Sequence, residues 1–418
     1  MTEKDSYNFD VLVVGAGLTG AVIARELAEA GFDVGVIDSS DKIGGALADF
    51  IDPHLKQPVP IFGGGIFKSN NEYTWNYIKQ FGKFHRARWT QALRVDSGEK
   101  KENKSENVFD INLPFDAESI NVLANTHLRK SHDFLSGAAI IYQQEESNKT
   151  EYDNFDDILQ ERFKNTPFYE LATNVTQKYW GVETKKLSPI FTMPPFDFTI
   201  CNDPQQFEAV PDEGWTKLIT NILNHDNIKV QLCTDYFGVR HQEKFKPNYM
   251  TFYTGPLDVF EVEVDGVSTP IEYRTFEFHF LRASGIFMFK QVQTWYSEHN
   301  YSYALEPKHL WKGNYDGSPI IMVKPKKPLC NNKDNKTPMV IVPTFENDKA
   351  LGQIKQRLRE RYYSLESPQC IRFVGHYSRV REDDLDMAIF WAHTQARNAI
   401  DDLKEKRSKK FFEVPKID

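Results

Sequence analysis

The chain has 418 residues, 40% of them hydrophobic and 26% charged, and a formal net charge of −8. That length suits two or three domains of ordinary globular composition. The acidic balance argues against a nucleic-acid groove while leaving room for a local basic pocket, and no run of about 18 apolar residues is present to span a bilayer.

The opening Met1–Asp10 is polar and acidic, lacking the basic start and apolar stretch of a secretory signal, so the expected location is the cytoplasm. Phe9–Val14 reads as a buried strand, Gly20–Ala30 as an Ala/Leu-rich helix stopped by Gly31, and Val34–Ile37 as a second strand. At the turn between strand and helix, Gly15, Gly17 and Gly20 have the spacing of a dinucleotide-binding loop. Gly15 permits the tight turn, Gly17 lets a pyrophosphate approach the backbone, and Gly20 lets the helix pack on the strand, so that phosphates rest at the helix N-terminus beside Leu18 and Thr19. Asp38, followed by Ser39, ends the second strand, where a carboxylate accepts hydrogen bonds from the adenosine ribose. Ile43-Gly44-Gly45 comes just after, and the whole string resembles the glutathione-reductase-type FAD fingerprint. FAD is the expected cofactor.

Asp96–Asn107, dense in Lys, Glu, Ser and Asn, reads as a hairpin tip. From Ile120 to Leu187 the pattern is helical and polar, with Phe155, Ile158, Leu159 and Phe163 forming one apolar face. Strand-like runs return at Lys229–Leu232, Tyr249–Tyr253, Glu272–Phe280 and Phe287–Val292. Asn331–Thr337 reads as a second tip, and Asp384–Leu403 as a helix with Leu385, Ile389, Ala392 and Ala396 on one face. There is no internal repeat. The four cysteines, Cys201, Cys233, Cys330 and Cys370, have neither CxxC spacing nor a histidine cluster nearby. The expectation is buried free thiols, with no disulfide framework and no metal site.

Beyond the fingerprint, a series of blocks resembles the UDP-galactopyranose mutase family, in the family's order and at similar spacing. Phe62-Gly63-Gly64-Gly65-Ile66-Phe67-Lys68-Ser69-Asn70 is similar to YGAHIFHTN, and Asn112-Leu113-Pro114-Phe115 to NLPFN. Thr176 to Gly181 resembles YTEKQWG without its leading tyrosine, Pro211 to Leu218 resembles PxGGYTKL, Tyr253 to Asp258 resembles YTGPID, and Glu272 to Thr275 resembles EYRS. The resemblance implies an α/β fold: a Rossmann-type FAD domain, an inserted helical lobe, and a sheet domain over the flavin. The expected divisions are 1–88 with 205–262 and 366–418 for FAD, 120–190 for the lobe, and 89–119 with 263–345 for the sheet.

The implied FAD contacts are Gly15, Gly17, Leu18, Thr19, Gly20, Asp38, Ser39, Gly44, Gly45, Gly64, Gly65, Ile66, Val230, Gly255, Gly375, Asp384 and Leu385. Trp180 is implied in the substrate cleft, although without the motif a core aromatic is equally expected. The implied reaction is a redox-neutral exchange of pyranose and furanose forms through a flavin N5 adduct, run on reduced FAD with an external reductant. The family clamps the departing diphosphate with two arginines. Here one falls near Phe196 or Asp197 and the other on Tyr303. The flavin-side histidine is Gly65, the arginine after the late glycine pair is His376, and the leading tyrosine is Val175.

These departures imply a carbohydrate-derived substrate different from the usual one, or replacement cations. Candidates are Lys68, Arg86, Arg88, Arg274, Arg379 and Arg381, with Arg274 and Lys68 foremost; a strand arginine paired with an acidic neighbour accounts equally well for Arg274, and a solvated face before an acidic run is the alternative for Arg379 and Arg381. Tyr296, Tyr301 and Tyr303 suit either a sugar-stacking pocket or core packing. The candidate catalytic set is Trp180, Arg274, Lys68, Tyr303 and His376. Rival expectations are a flavin oxidoreductase on a small polar metabolite and a catalytically weak scaffold. No nucleic-acid or membrane partner is expected, and a homodimer is possible.

Overall fold

The first elements form where apolar periodicity demands them. In a computed structural model that describes residues 9–96, 108–113, 151–163, 167–190, 206–284, 287–297, 299–311, 317–330, 340–367, 369–380 and 384–412, β1 (Val11–Val14) and β2 (Val34–Ile37) flank α1 (Leu18–Glu29). The helix begins two residues before Gly20 because Gly17, in extended conformation, is its N-cap. It ends at a positive-φ glycine, Gly31, the usual device for stopping a helix.

The chain continues through β3 (Asp49–Ile51), β4 (Pro58–Pro60), β5 (Phe67–Ser69), α2 (Glu72–Ile78), β6 (Phe84–Arg86), β7 (Gln91–Asp96) and β8 (Val108–Leu113). Among the described residues the next elements are α3 (Phe155–Phe163) and α4 (Pro167–Trp180), then β9 (Phe207–Pro211), α5 (Trp215–Leu223), β10 (Ile228–Gln231) and β11 (Met250–Tyr253). The last third holds β12 (Glu272–Arg274), β13 (Phe276–Ala283), β14 (Gln293–Tyr296), β15 (Tyr303–Leu305), β16 (Ser318–Pro325), β17 (Leu329–Cys330), β18 (Val340–Ile341), α6 (Phe345–Tyr362), β19 (Ile371–Phe373) and α7 (Leu385–Phe412).

Five strands form a parallel sheet in the order β10-β2-β1-β11-β19. The chain leaves β1 toward β2 on one side and reaches β11 on the other, so the strand order reverses at β1. The crevice beyond the carboxyl ends of such strands is where open α/β sheets bind ligands. Both faces are covered, as parallel sheets require: α1, α5 and α7 pack on one through Val22, Ile219, Ile389 and Ala396, and α6 on the other through Leu351, Ile354 and Leu358.

A six-stranded sheet runs β13-β16-β15-β14-β7-β8, antiparallel except between β14 and β7. Helices α3 and α4 pack on it through Phe155, Leu159, Phe163 and Val175, against Leu93, Ile111 and Trp295. Of the expected lobe, α3 spans the predicted apolar face. A three-stranded sheet runs β5-β9-β6.

Several expectations are corrected. Glu272–Phe280 is two strands in different sheets, β12 and β13. Phe287–Val292 is not a strand: the N–H groups of Met288 and Phe289 bond to the buried carboxylate of Glu306, and the ladder starts only at Gln293. Cys370 is buried, but Cys233 and Cys330 are exposed; Cys201 and the 331–337 tip lie outside the described residues. The first tip is bracketed as expected, since β7 and β8 pair antiparallel with Asp96 opposite Val108. No described helix is long and apolar enough to cross a membrane.

Candidate functional site

Three glycines at the end of β1 have three different reasons to be glycine. Gly15 has φ +115, and a Cβ there would stand 2.0 Å from Thr254 Oγ1. A Cβ at Gly20 would stand 2.0 Å from the Gly15 carbonyl oxygen, so close packing of α1 on β1 forbids it. At Gly17 the backbone is ordinary, with φ −82, and a Cβ would meet nothing closer than 3.8 Å. The fold itself does not require glycine at Gly17. The unfilled space faces Gly44 and Gly45 at the N-terminus of α1, where unsatisfied N–H groups and the helix dipole suit a pyrophosphate.

The facing turn is tied to this one: Gly44 N–H donates to Ala16 O at 3.0 Å, and Gly44 and Gly45 have φ +123 and +56. Asp38 is fixed in advance, its Oδ2 accepting from Ala16 N–H at 2.7 Å and its Oδ1 from Ser40 N–H at 2.8 Å. Half-buried at the end of β2, it retains acceptor capacity for ribose hydroxyls. Ser39 and Val230 are exposed at the same edge. These features fit FAD: open space beside Gly17, where the fold does not require glycine, and an oriented carboxylate just after β2.

A second loop, Phe62 to Ile66, extends the site toward the six-stranded sheet. Gly63 and Gly64 have φ +89 and +75, conformations that favour glycine. A Cβ on Gly65 would stand 3.0 Å from Leu47 and 3.4 Å from Leu385, and one on Gly63 would be 3.4 Å from the Tyr303 hydroxyl. The loop therefore runs between the start of α7, at Asp384 and Leu385, and the inner face of the sheet. There Phe62 meets Phe278 edge-on at 5.7 Å. Trp215 Nε1 donates to Gly65 O at 2.9 Å and anchors the loop from below.

Sequence reasoning missed the residue that sets Trp215. Asp49 on β3 accepts from Trp215 N–H at 2.6 Å and Thr216 N–H at 3.1 Å, capping α5 from a distant strand. Burial raises the Asp49 pKa, against the hydrogen bonds from Trp215 and Thr216. Gly214 sits 2.5 Å, measured from an added Cβ, from the same carboxylate. The Gly214-Trp215-Thr216 block was the available signal, but its partner lies 166 residues away.

The candidate catalytic residues are dispersed. Trp180, 2% exposed, packs in the core between lobe and sheet. Arg274 is also buried, and its Nε and Nη2 donate to the carbonyls of Tyr179 and Lys178 at the end of α4. Burial lowers its pKa to about 10. Two of its donors thus fasten the lobe to β12. Tyr303 is half-buried over Gly63 and packs on Trp295 at 4.8 Å. His376 follows Gly375, which has φ +87, and lines a cleft with Thr19, Arg379, Trp391 and Gln395. Arg379 lies 4.3 Å over the Trp391 ring. Gly255 closes β11 beside the Tyr253 hydroxyl. Lys68 pairs with Glu208 at 3.6 Å. Phe196, Asp197 and Arg381 lie outside the described residues.

Two family models match this chain: UDP-galactopyranose mutase over residues 170–377, and an NAD(P)-binding Rossmann-like domain over residues 13–81. A probable UDP-galactopyranose mutase of Klebsiella pneumoniae is 29% identical over 98% of this chain and 99% of its own. The dTDP-fucopyranose mutase of Escherichia coli is 25% identical, covering 91% and 95%. Among solved structures, a reduced UDP-galactopyranose mutase superposes with a TM-score of 0.65 at 13% identity, covering 95% of this chain and 94% of that one. A putative protoporphyrinogen oxidase from Exiguobacterium sp. 255-15 superposes at 0.63 and 10% identity, covering 93% and 98%. At these identities the superpositions show the fold alone. Together with the sequence matches they bear out the resemblance read from the blocks, and with it FAD as the cofactor.

Proposed function

We propose that this UDP-galactopyranose mutase-like flavoprotein interconverts ring forms of a nucleotide sugar, using reduced FAD and no net redox change. The observation that carries the reading is the span of the mutase family match, residues 170–377. It runs from α4 through four strands of the six-stranded sheet, β13 to β16, to Tyr377, so it supplies most of the sheet wall opposite the Gly63–Ile66 loop. When bound and reduced, FAD supplies the nucleophile for exchange at the anomeric carbon. An external reductant keeps it reduced.

The chain's own residues do the rest. Gly17, Gly44, Gly45 and the start of α1 seat the cofactor diphosphate, with Leu18 and Thr19 in the first turn, and Asp38 holds its ribose. Gly64, Gly65 and Ile66 support the ring system, with Gly255, Gly375 and Asp384 around it. Phe62, Phe278 and Tyr303 wall the reacting sugar from water, and the Tyr303 hydroxyl is a hydrogen-bond partner for it. Trp180 and Arg274 act indirectly, holding the lobe against the sheet. The expected three-part division, with its FAD segments at 1–88, 205–262 and 366–418, belongs to the same reading.

The substrate differs from UDP-galactose. Residues 191–205, where one clamp arginine is implied, contain two aspartates and no Lys or Arg, and the other implied position is Tyr303. The relatives named above differ in both nucleotide and sugar, which accords with a variable substrate end. The test is to incubate the FAD-loaded, reduced protein with UDP-galactopyranose and with dTDP-fucopyranose, and to follow furanose formation by chromatography. Turnover with the flavin still reduced supports a mutase. Continuous consumption of an electron acceptor would instead establish an oxidoreductase.

A further inference from the structure

The mutase reading leaves open which cations receive the substrate's diphosphate, and most cations around the cleft are already committed. Arg274 donates to the carbonyls of Lys178 and Tyr179, and Lys178 in turn to those of Tyr296, His299 and Tyr301. Arg94 makes a bidentate pair with Asp110, and Arg282 pairs with Asp52.

One pair is different. On β5, Lys68 stands opposite Glu208 of β9, with Nζ 3.6 Å from Oε1. Arg88, just beyond β6, reaches the other oxygen, with Nε 4.0 Å from Oε2. The carboxylate is nearly enclosed, at 11% side-chain exposure, whereas Lys68 and Arg88 are 35% and 64% exposed. Neither contact is short enough to be a full hydrogen bond. Glu208 is itself held by the N–H of Trp89 at 3.3 Å.

This arrangement is a buried anchor that draws two accessible cations together and leaves one net positive charge facing outward. Because strand side chains alternate, Lys68 shares a face with Ile66, which ends the glycine loop. Trp89, next to Arg88, donates through Nε1 to Gln293 on the six-stranded sheet at 2.9 Å. The cations therefore sit where the small sheet meets the wall of the cleft. The segment just before β9 brings no cation of its own.

We propose that Lys68 and Arg88, gathered by Glu208 as their positioning residue, hold the diphosphate of the nucleotide-sugar substrate. The inference rests on the nucleotide-sugar reading above. A guanidinium and an ammonium a few ångströms apart suit two adjacent phosphates, the first by forked hydrogen bonds and the second as a point charge.

The experiment measures binding of UDP and of dTDP to the FAD-loaded protein by calorimetry at two salt concentrations. It compares the natural chain with Lys68→Met, Arg88→Gln and the double variant, substitutions that retain side-chain bulk. Each single change is expected to weaken nucleotide binding about tenfold, and both together about a hundredfold, with a shallower salt dependence. Flavin content and thermal midpoint should stay close to those of the natural chain. Conservative Lys68→Arg should restore most of the binding. If the natural chain binds a nucleoside diphosphate and the double variant binds it equally well, this assignment falls while the mutase reading stands. If the natural chain binds neither UDP nor dTDP, both fall.

Discussion

Replacing Gly17 by alanine separates cofactor binding from folding more cleanly than any other change in the loop. The new Cβ would have Gly45 Cα at 3.8 Å and Gly44 O at 3.9 Å as its nearest neighbours, which is ordinary van der Waals contact. The backbone there suits alanine, and losing a glycine from the unfolded chain itself stabilises by about 0.4–1 kcal/mol. The apoprotein should therefore be as stable as before or slightly more so. FAD at a hundred times its dissociation constant stabilises the natural chain by about 2.7 kcal/mol. If the methyl group, standing where the pyrophosphate meets the backbone, weakens FAD a hundredfold, the same concentration contributes only about 0.4 kcal/mol.

The assay is chemical denaturation of apo and FAD-supplemented protein, with a flavin fluorescence titration alongside. Gly20→Ala is the comparison, because its Cβ would press to 2.0 Å on the Gly15 carbonyl oxygen. It should destabilise the apoprotein by about 1–3 kcal/mol through overpacking. Natural FAD affinity in Gly17→Ala, or an apoprotein as damaged as Gly20→Ala, would refute the assignment of that gap to the cofactor.

Asp38→Ala should weaken FAD by about 1–3 kcal/mol, the cost of unmaking a charged hydrogen bond to ribose, and an unchanged titration places Asp38 outside the site. Tyr273→Phe removes a hydroxyl donor to a fully buried carboxylate: the Tyr273 hydroxyl meets Asp258 Oδ1 at 2.5 Å, and Asp258 Oδ2 has no partner among the described residues. It should cost about 1–3 kcal/mol near neutrality. Burial raises the Asp258 pKa above 3.8 while Tyr273 opposes the rise. Its ionisation therefore costs stability as pH increases through the folded value, and losing Tyr273 moves that value higher, so the deficit should shrink in acid; a deficit constant from pH 8 to pH 4 contradicts this. Arg282→Gln should also lose its effect in acid, although the carboxylate it pairs with, Asp52, is shifted the opposite way. There burial favours the acid, but the N–H groups of Leu55 and His54 and the Arg282 guanidinium outweigh it and hold the pKa below 3.8. That stability is present above 3.8 and lost as pH falls through the folded value, so the substitution should cost about 1 kcal/mol at pH 7 and nothing in strong acid, as read from urea midpoints.

The β1-α1-β2 unit was legible because its signals are local. Strand and helix periods, the glycine spacing and the closing Asp38 all lie within one short stretch, and the structure moves the boundaries by only a residue or two. The apolar face of α3 was readable for the same reason. Composition and pattern could not say that the N–H groups of Met288 and Phe289 bond to Glu306 rather than to a neighbouring strand, because that choice belongs to a carboxylate from another turn of the chain.

At the site the division is sharper. Glycine and aspartate types at fixed spacing determine a cofactor cradle, since backbone conformation and a phosphate's need for close approach act within the loop itself. Whether a cation is available to a ligand depends on which acceptors the fold brings to it. Arg274 had the better block match, yet its side chain meets carbonyls 95 and 96 residues away. Lys68 is drawn instead to Glu208, 140 positions along the sequence and opposite it across β5 and β9. Asp49 likewise gained its role only when β3 came to rest against the start of α5. Local conformational preference wrote the cradle into the sequence, whereas the pairing of charges across distant segments was decided by tertiary packing, because electrostatic partners are chosen by distance in space.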